Sequence, residues 1–288
     1  MIEASIERIR EGVRSRTASR APHLSRSGTV YLVGAGPGDP GLLTVKALDL
    51  LRRADVVVYD YLVNPDLLVH AAQHAERVYM GKIGGGRQTL QDEINRLLID
   101  RAQAGKMVVR LKGGDPFLFG RGAEEALALR AADIPFEIVP GVSSALAVPA
   151  YAGIPLTHRG LTSSVTVVTG VRRGEDQPSS DLFRGGAEDT LVVLMGLTQL
   201  RHIAAAVISS GRSPETPAAV IRWGTYESQE VVTGTLRTIA DSVERARLRA
   251  PSLIVIGEVV RLRDELKWFE SSGVPGDLEE RELESCLG

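Results

Sequence analysis

Arg110-Leu111-Lys112-Gly113-Gly114-Asp115-Pro116-Phe117-Leu118-Phe119-Gly120-Arg121-Gly122-Ala123-Glu124-Glu125 is the stretch whose reading decides the fold. Val108 and Val109 lead into it as an apolar β-type run that stops on two glycines. Asp-Pro follows, a pair that opens turns and helices. From Glu124 the pattern through Ala126, Leu127, Leu129 and Arg130 is helical. A buried parallel strand therefore delivers a glycine-rich loop and then a helix. In open α/β sheets, ligands sit in that crevice, past the carboxyl ends of the strands. The bare glycines let a ligand approach the backbone, with both N–H groups free to donate. Arg110, Lys112, Arg121 and Arg130 flank the loop as four cations. An ordinary βα turn with solvated charges is the competing reading; the density of Gly, Asp-Pro and Arg favours a binding site.

The same alternation extends outward in both directions. Val30-Tyr31-Leu32-Val33 is a strand ending in Gly34-Ala35-Gly36-Pro37-Gly38-Asp39-Pro40-Gly41, followed by a helix with Leu42, Leu43, Val45, Leu48 and Leu51 on its apolar face. Strands over 55–59 and 77–80, a helix over about 89–104 and a strand over 136–139 complete a first domain, 28–150. Strands alternating with helices predict a mainly parallel sheet covered on both faces. A Pro- and Gly-spaced joint, 150–160, leads to a second domain, 151–270, with strands over 164–169, 191–195 and 253–256 and a pair turning at Gly224. The polar run 172–189 has no periodicity and reads as a lid or mobile edge. The fold class expected is α/β in two domains, the first sheet mainly parallel and the second mixed. Residues 1–27, with arginines at 8, 10, 14, 16, 20 and 26, read as a mobile basic extension, and 271–288 as a charged tail.

Composition narrows the function classes. The 288 residues suffice for two α/β domains, and 30 glycines suit a loop-rich enzyme. The one cysteine, Cys286, rules out a disulfide framework or a thiolate metal site. His70 and His74 share a helical face, with no third ligand near them in sequence, so no metal is expected. A net charge of −2 gives no support to non-specific nucleic-acid binding. No apolar run reaches membrane-spanning length and no signal-type segment opens the chain, so the cytoplasm is the default location and no membrane partner is expected.

The first glycine loop imitates a dinucleotide fingerprint, with Gly34 and Gly36 after a strand and Asp60 further on. The third glycine would fall at position 39, which is Asp39, and Pro37 and Pro40 remove two N–H groups that a pyrophosphate needs. An NAD-linked oxidoreductase is therefore only the runner-up.

Gly34 to Pro40 with Leu42-Leu43-Thr44 resembles the opening signature of the tetrapyrrole methylases. The Arg110–Glu125 string, Pro140-Gly141-Val142-Ser143-Ser144-Ala145 and Ala152-Gly153-Ile154-Pro155-Leu156-Thr157-His158-Arg159 narrow the likeness, over about 29–270, to the uroporphyrinogen-III C-methyltransferases. The resemblance implies two α/β domains with S-adenosylmethionine in the cleft between them, S-adenosylhomocysteine as co-product, and a homodimer. It implies two C-methylations of uroporphyrinogen III to precorrin-2, on the way to sirohaem or cobalamin. It also implies a monofunctional enzyme, the chain being too short for the dehydrogenase–chelatase domain that some members add. Carried over by position, the cofactor contacts are Pro37, Gly113, Gly114, Asp115, Leu118, Ser143, Ser144, Met195 and Gly224. Asp60 and Lys82 match the proton acceptor and proton donor, and Arg121, Glu124 and Arg159 match residues that hold or activate the macrocycle. Relatives acting on other precorrins, on protein or on RNA share the opening loop alone.

The chemistry agrees with these residue types. An electron-rich pyrrole carbon attacks a sulfonium methyl without enzyme nucleophile or metal, so positioning does most of the work. The methylated ring must then shed a proton, for which one base is useful. The carboxylates of the substrate call for arginine forks. Each candidate keeps a plainer reading. Arg121 can pair with Glu124 or Glu125, Asp60 can be a turn residue before Asn64-Pro65, and Lys82 a solvated loop lysine. Met195 can be core, and Ser143 and Ser144 can cap a helix.

Overall fold

The computed structural model describes residues 27–81, 91–170, 186 and 188–269. The chain divides into two units, Met1–Val142 and Ser143–Gly288. In the first, β1 (Val30–Gly34), β2 (Val56–Tyr59), β3 (Glu76–Tyr79), β4 (Val108–Lys112) and β5 (Phe136–Val139) form an all-parallel sheet ordered β3-β2-β4-β1-β5. Its helices are α1 (Val45–Arg53), α2 (Gln91–Gln103) and α3 (Gly122–Ala131).

Chain direction decides which face each helix covers. The β1-to-β2 connection moves toward the β3 edge, whereas β3-to-β4 and β4-to-β5 move the other way. Right-handed crossovers then place α1 opposite α2 and α3. The buried side chains agree. Ala47, Leu50 and Leu51 of α1 pack on Val33, Val57, Val109 and Leu111. Ile94 and Leu98 of α2 and Ala126 and Leu129 of α3 pack on Val30, Leu32, Val56, Val58 and Val108. Each fully buried aliphatic side chain contributes about 1.5–3 kcal/mol.

Helix α1 starts later than its leucines suggest. Pro40–Leu42 is a 3-10 turn, and the Thr44 hydroxyl accepts from the Ala47 N–H at 3.2 Å, so Thr44 is the cap. The i, i+3, i+4 stripe is then Ala47, Leu50 and Leu51, and Val45, expected on the apolar face, is 85% exposed.

In the second unit β6 (Val165–Thr169), β7 (Thr190–Leu194), β8 (Pro217–Arg222), β9 (Glu230–Thr235) and β10 (Ser252–Ile256) form a mixed sheet ordered β6-β7-β10-β8-β9. The β6–β7 pair is parallel and the other pairs antiparallel. Helix α4 (Ser144–Tyr151) buries Ala145 and Val148 against Val192, Ala219, Ile221, Leu253 and Val255. Helices α5 (Leu200–Ser209) and α6 (Ile239–Ala246) cover the alternate residues Leu191, Val193, Ala218, Val220, Ile254 and Ile256. This is the period of two that a sheet buried on both faces requires. The packing of α4 groups it with the second sheet, a few residues upstream of the joint expected at 150–160. The run 172–189 falls mostly outside the described residues, as do 1–26 and 270–288.

Candidate active site

Three glycines meet where β1, β4 and β5 end. A Cβ on Gly34 would lie 2.5 Å from the Gly141 Cα and 2.6 Å from the Gly114 oxygen, and a Cβ on Gly141 would strike the same oxygen. Backbone crowding, independent of any ligand, therefore demands glycine at 34 and 141. Gly114 sits at φ +67° and exchanges two hydrogen bonds with Gly36: its N–H donates to Gly36 at 2.7 Å and its carbonyl accepts from Gly36 at 3.2 Å. The expectation that both N–H groups of Gly113-Gly114 are free to donate is thus corrected at Gly114.

Asp115 ties the loop down. Its Oδ1 accepts from the Phe117 N–H at 2.8 Å and its Oδ2 from the Gly141 N–H at 3.1 Å. A Cβ on Gly113 would come within 2.6 Å of the Leu62 Cβ, so that glycine also serves close packing against the turn after β2. Phe117, Leu118 and Phe119 follow as exposed apolar side chains. In the first loop, Pro37 is half-buried, and the Asp39 Oδ1 accepts from the Gly41 N–H at 2.7 Å. The Asn64 amide reaches the Gly38 carbonyl at 2.8 Å. Asp39, which broke the dinucleotide pattern, is the cap of the 3-10 turn.

Beside these loops lies a buried cluster of charges. Every residue of β4 is buried, Arg110 and Lys112 included. Strand parity explains the placement: residues 108, 110 and 112 face α2 and α3, and Glu125 stands in the first turn of α3. The Glu125 Oε1 accepts from Lys112 Nζ at 2.9 Å, from Arg110 Nε at 3.2 Å and from Gln91 Nε2 at 3.2 Å. Its Oε2 has no hydrogen-bond partner among the described residues. The guanidinium also donates to the Leu111 carbonyl at 3.2 Å and, at 3.0 Å, to Oδ2 of Asp60. Asp60 keeps the parity of Val56 and Val58, and its side chain is 26% exposed. Burial pushes the Lys112 ammonium below its usual range, and the Arg110 charge adds to that; Glu125 opposes both. Sequence places Arg110 and Lys112 as cations flanking the loop and Glu125 as a possible partner of Arg121; the structure instead pairs Glu125 with Arg110 and Lys112. The available signal was the i, i+2 spacing of two cations within a strand, with an acid opening the next helix.

The remaining first-unit candidates are more open. Arg121 occupies the left-handed region at φ +59° as the residue capping α3. Its Nε and NH2 grip the Glu124 carboxylate at 2.8 Å each, which raises the Arg121 pKa. The pairing that sequence offered as the plainer role is thus present, and both partners are about half exposed. Lys82 lies outside the described residues.

In the second unit the Ser143 hydroxyl accepts from the Ala145 N–H at 3.2 Å, capping α4, of which Ser144 is the first residue. Met195 is not core: it sits past β7 at φ +55°, 51% exposed. Gly224 is buried, and a Cβ there would land on the Val148 side chain, so packing alone requires glycine. Arg159 is exposed in the turn closed by the His158–Thr162 bridge. Among the described residues no three His, Cys, Asp or Glu side chains are grouped to hold a metal, and no helix is long and apolar enough to cross a membrane.

Residues 29–240 match the family model of the tetrapyrrole (corrin/porphyrin) methylases. The chain is 48% identical over 254 residues to the uroporphyrinogen-III C-methyltransferase of Bacillus subtilis, covering 88% of this chain and 99% of that protein. It is 51% identical over 265 residues to the siroheme synthase of Ectopseudomonas mendocina, covering 91% of this chain but 56% of that protein. The chain thus spans a little over half the length of the siroheme synthases it matches. Among solved structures, the Thermus thermophilus uroporphyrin-III C-methyltransferase complexed with S-adenosylhomocysteine superposes with a TM-score of 0.70 at 44% identity. That match covers 82% of this chain and 100% of that one. A parallel sheet ending in crowded glycine loops, a mixed second sheet and these likenesses lead to one conclusion: the chain belongs to the tetrapyrrole methylases.

Proposed function

We propose that this chain transfers two methyl groups from S-adenosylmethionine to pyrrole carbons of uroporphyrinogen III, giving precorrin-2. The observation that carries the reading is the 48% identity spanning 99% of the Bacillus subtilis enzyme. The bound cofactor supplies an electrophilic methyl group. The residues to hold it are Pro37, Gly113, Gly114, Asp115 and Leu118 in the first unit and Ser143, Ser144, Met195 and Gly224 in the second. Asp115 acts through its two hydrogen bonds, which set the shape of the loop, and Gly224 through the approach of backbone to Val148.

Arg121, Glu124 and Arg159 orient the macrocycle. In this reading the Arg121 fork turns from Glu124 to a substrate carboxylate, a change that a half-exposed ion pair makes at little cost, since such pairs contribute about 0–1 kcal/mol. Asp60, at the carboxyl end of β2 and partly open to solvent, takes the proton released after methylation. Lys82 is the proposed proton donor. A homodimer, which rests on family resemblance, and a cytoplasmic location, the default for a chain without a membrane-length apolar run, complete the reading; sedimentation tests the first.

Incubation with radiolabelled S-adenosylmethionine and uroporphyrinogen III under reducing conditions tests the activity. Label in the macrocycle supports it. Label retained in the cofactor, together with oxidation or reduction of added NAD(H), would favour the oxidoreductase instead.

A further inference from the structure

We propose that Arg110 is a positioning residue for Asp60, held in register by Glu125. The inference rests on the proposed role of Asp60 as proton acceptor and extends it to a buried side chain that never meets the substrate. Arg110 is 3% and Glu125 0% exposed at the side chain, whereas Asp60 is the one acid of the cluster that reaches solvent. The guanidinium is fixed on three sides: Nε to Glu125 at 3.2 Å, and NH1 to the carbonyls of Leu111 at 3.2 Å and Val58 at 3.4 Å. That leaves NH2, which holds Asp60 Oδ2 at 3.0 Å. Among the described residues, the other carboxylate oxygen, Oδ1, accepts one long bond, from the Leu62 N–H at 3.3 Å. One oxygen of Asp60 is therefore pinned from the sheet interior while the other is lightly held at the mouth of the turn. A base that must meet a proton at a defined ring carbon gains from such fixing, because small misplacements cost large factors in rate.

Glu125 has the anchoring part. Its Oε1 gathers Arg110, Lys112 and Gln91 from β4 and α2, so the guanidinium cannot rotate toward Asp60 or away from it without breaking a buried contact. A plain ion pair for stability would not need this arrangement, since buried charges are at best neutral against apolar residues of similar volume. The fork also suits arginine: Glu125 and Asp60 are held by two separate nitrogens at the fixed spacing of one rigid guanidinium, a spacing a lysine ammonium lacks.

The test is a double-mutant cycle in single-turnover methylation of uroporphyrinogen III, with R110K, D60N and the combined variant as full-length proteins. R110K keeps a cation beside Glu125. It should lower the turnover rate by roughly tenfold or more while KM for the macrocycle and the cofactor dissociation constant stay within about twofold. In the D60N background R110K should cost nothing further, because the residue it positions is already gone. Equal losses from R110K in both backgrounds, or wild-type turnover by R110K, would overturn the proposal. Should R110K not fold, the triple variant R110Q/K112M/E125Q, which removes both buried cations together with the anion that Lys112 and Arg110 share, carries the same cycle and the same outcomes. Wild-type turnover by D60N alone would remove the role of Asp60, and the inference with it, while label transfer by that variant would leave the methyltransferase reading standing.

Discussion

The two sheets of this protein are built from similar central strands with opposite contents. β4 is Val-Val-Arg-Leu-Lys and β10 is Ser-Leu-Ile-Val-Ile, and both are buried almost throughout. β10 has side chains from Leu253 to Ile256 inserted between two helical layers and no charge to compensate. β4 carries two cations into the interior, neutralised by Glu125 from the next helix and by Asp60 from the neighbouring strand end. Burying charge is expensive and its mutual attraction seldom gains more than apolar packing would. β4 thus gives up stability beside the strand ends where the glycine loops emerge, and β10 does not.

If that contrast reflects function, the largest effect of any single change should fall beside the first sheet and spare stability. Arg121→Met is expected to lower single-turnover methylation by about two to three orders of magnitude, within the roughly 2–5 kcal/mol typical of losing a charge-assisted contact to a buried partner. Arg121→Lys should lose most activity too, since an ammonium lacks the fork. Cofactor affinity by calorimetry should stay close to wild type in both, and the unfolding free energy should change little because the Glu124 pair is exposed.

Next come two changes that set the sheets against each other. Glu125→Ala leaves Arg110 and Lys112 buried without their anion and should cost about 3–5 kcal/mol in urea denaturation. Removing all three charges at once, by Arg110→Met, Lys112→Met and Glu125→Leu in one chain, should restore most of that stability and still abolish turnover, which would separate the two roles. Ile254→Ala in β10 should cost about 2–5 kcal/mol through its cavity, with the rate of the remaining folded enzyme unchanged. A loss of rate per folded molecule there would blur the distinction between the sheets.

How much of this was legible beforehand follows from what each element needs. The strand–loop–helix order, the parallel first sheet and the mixed second sheet were readable because Val-rich runs, Gly-Pro loops and helical spacing are local signals. The start of α1 was not, because Leu42 and Leu43 belong to a capped 3-10 turn and only Thr44 reveals the helix proper. Gly113 and Gly114 read as open space for a ligand, yet Gly113 answers to close packing on Leu62 and Gly114 is bonded to Gly36. Gly34 and Gly141 answer to three strand ends in contact, a constraint that appears only when β5 is placed beside β1. Arg110 and Lys112 read as cations flanking a ligand loop because buried charge in a strand is rare; the acid that permits it lies 13 and 15 residues away along the chain, on another element. Met195 went the other way: an apolar residue after an apolar strand is held outward by a left-handed backbone that sequence does not announce.

The smallest expected effect concerns pH. The folded Lys112 pKa lies below its unfolded value because of burial. Between those two values the unfolded chain binds more protons, so the Lys112 contribution to stability rises as pH rises through that window. Below the window the buried charge is a fixed cost, and above it the cost is gone. Lys112→Met should therefore flatten the rise, seen as a wild-type-minus-variant difference in unfolding free energy that grows between neutral and alkaline pH. A difference that falls instead would mean that Glu125 outweighs burial at this site.

Mass analysis of the macrocycle after anaerobic incubation with S-adenosylmethionine is the most direct test of where the chemistry resides. Wild-type protein should convert uroporphyrinogen III into a product heavier by two methyl groups, and Arg121→Met should leave it almost unchanged while still binding the cofactor. An unmodified macrocycle with the wild-type protein, or full double methylation by Arg121→Met, would contradict the assignment.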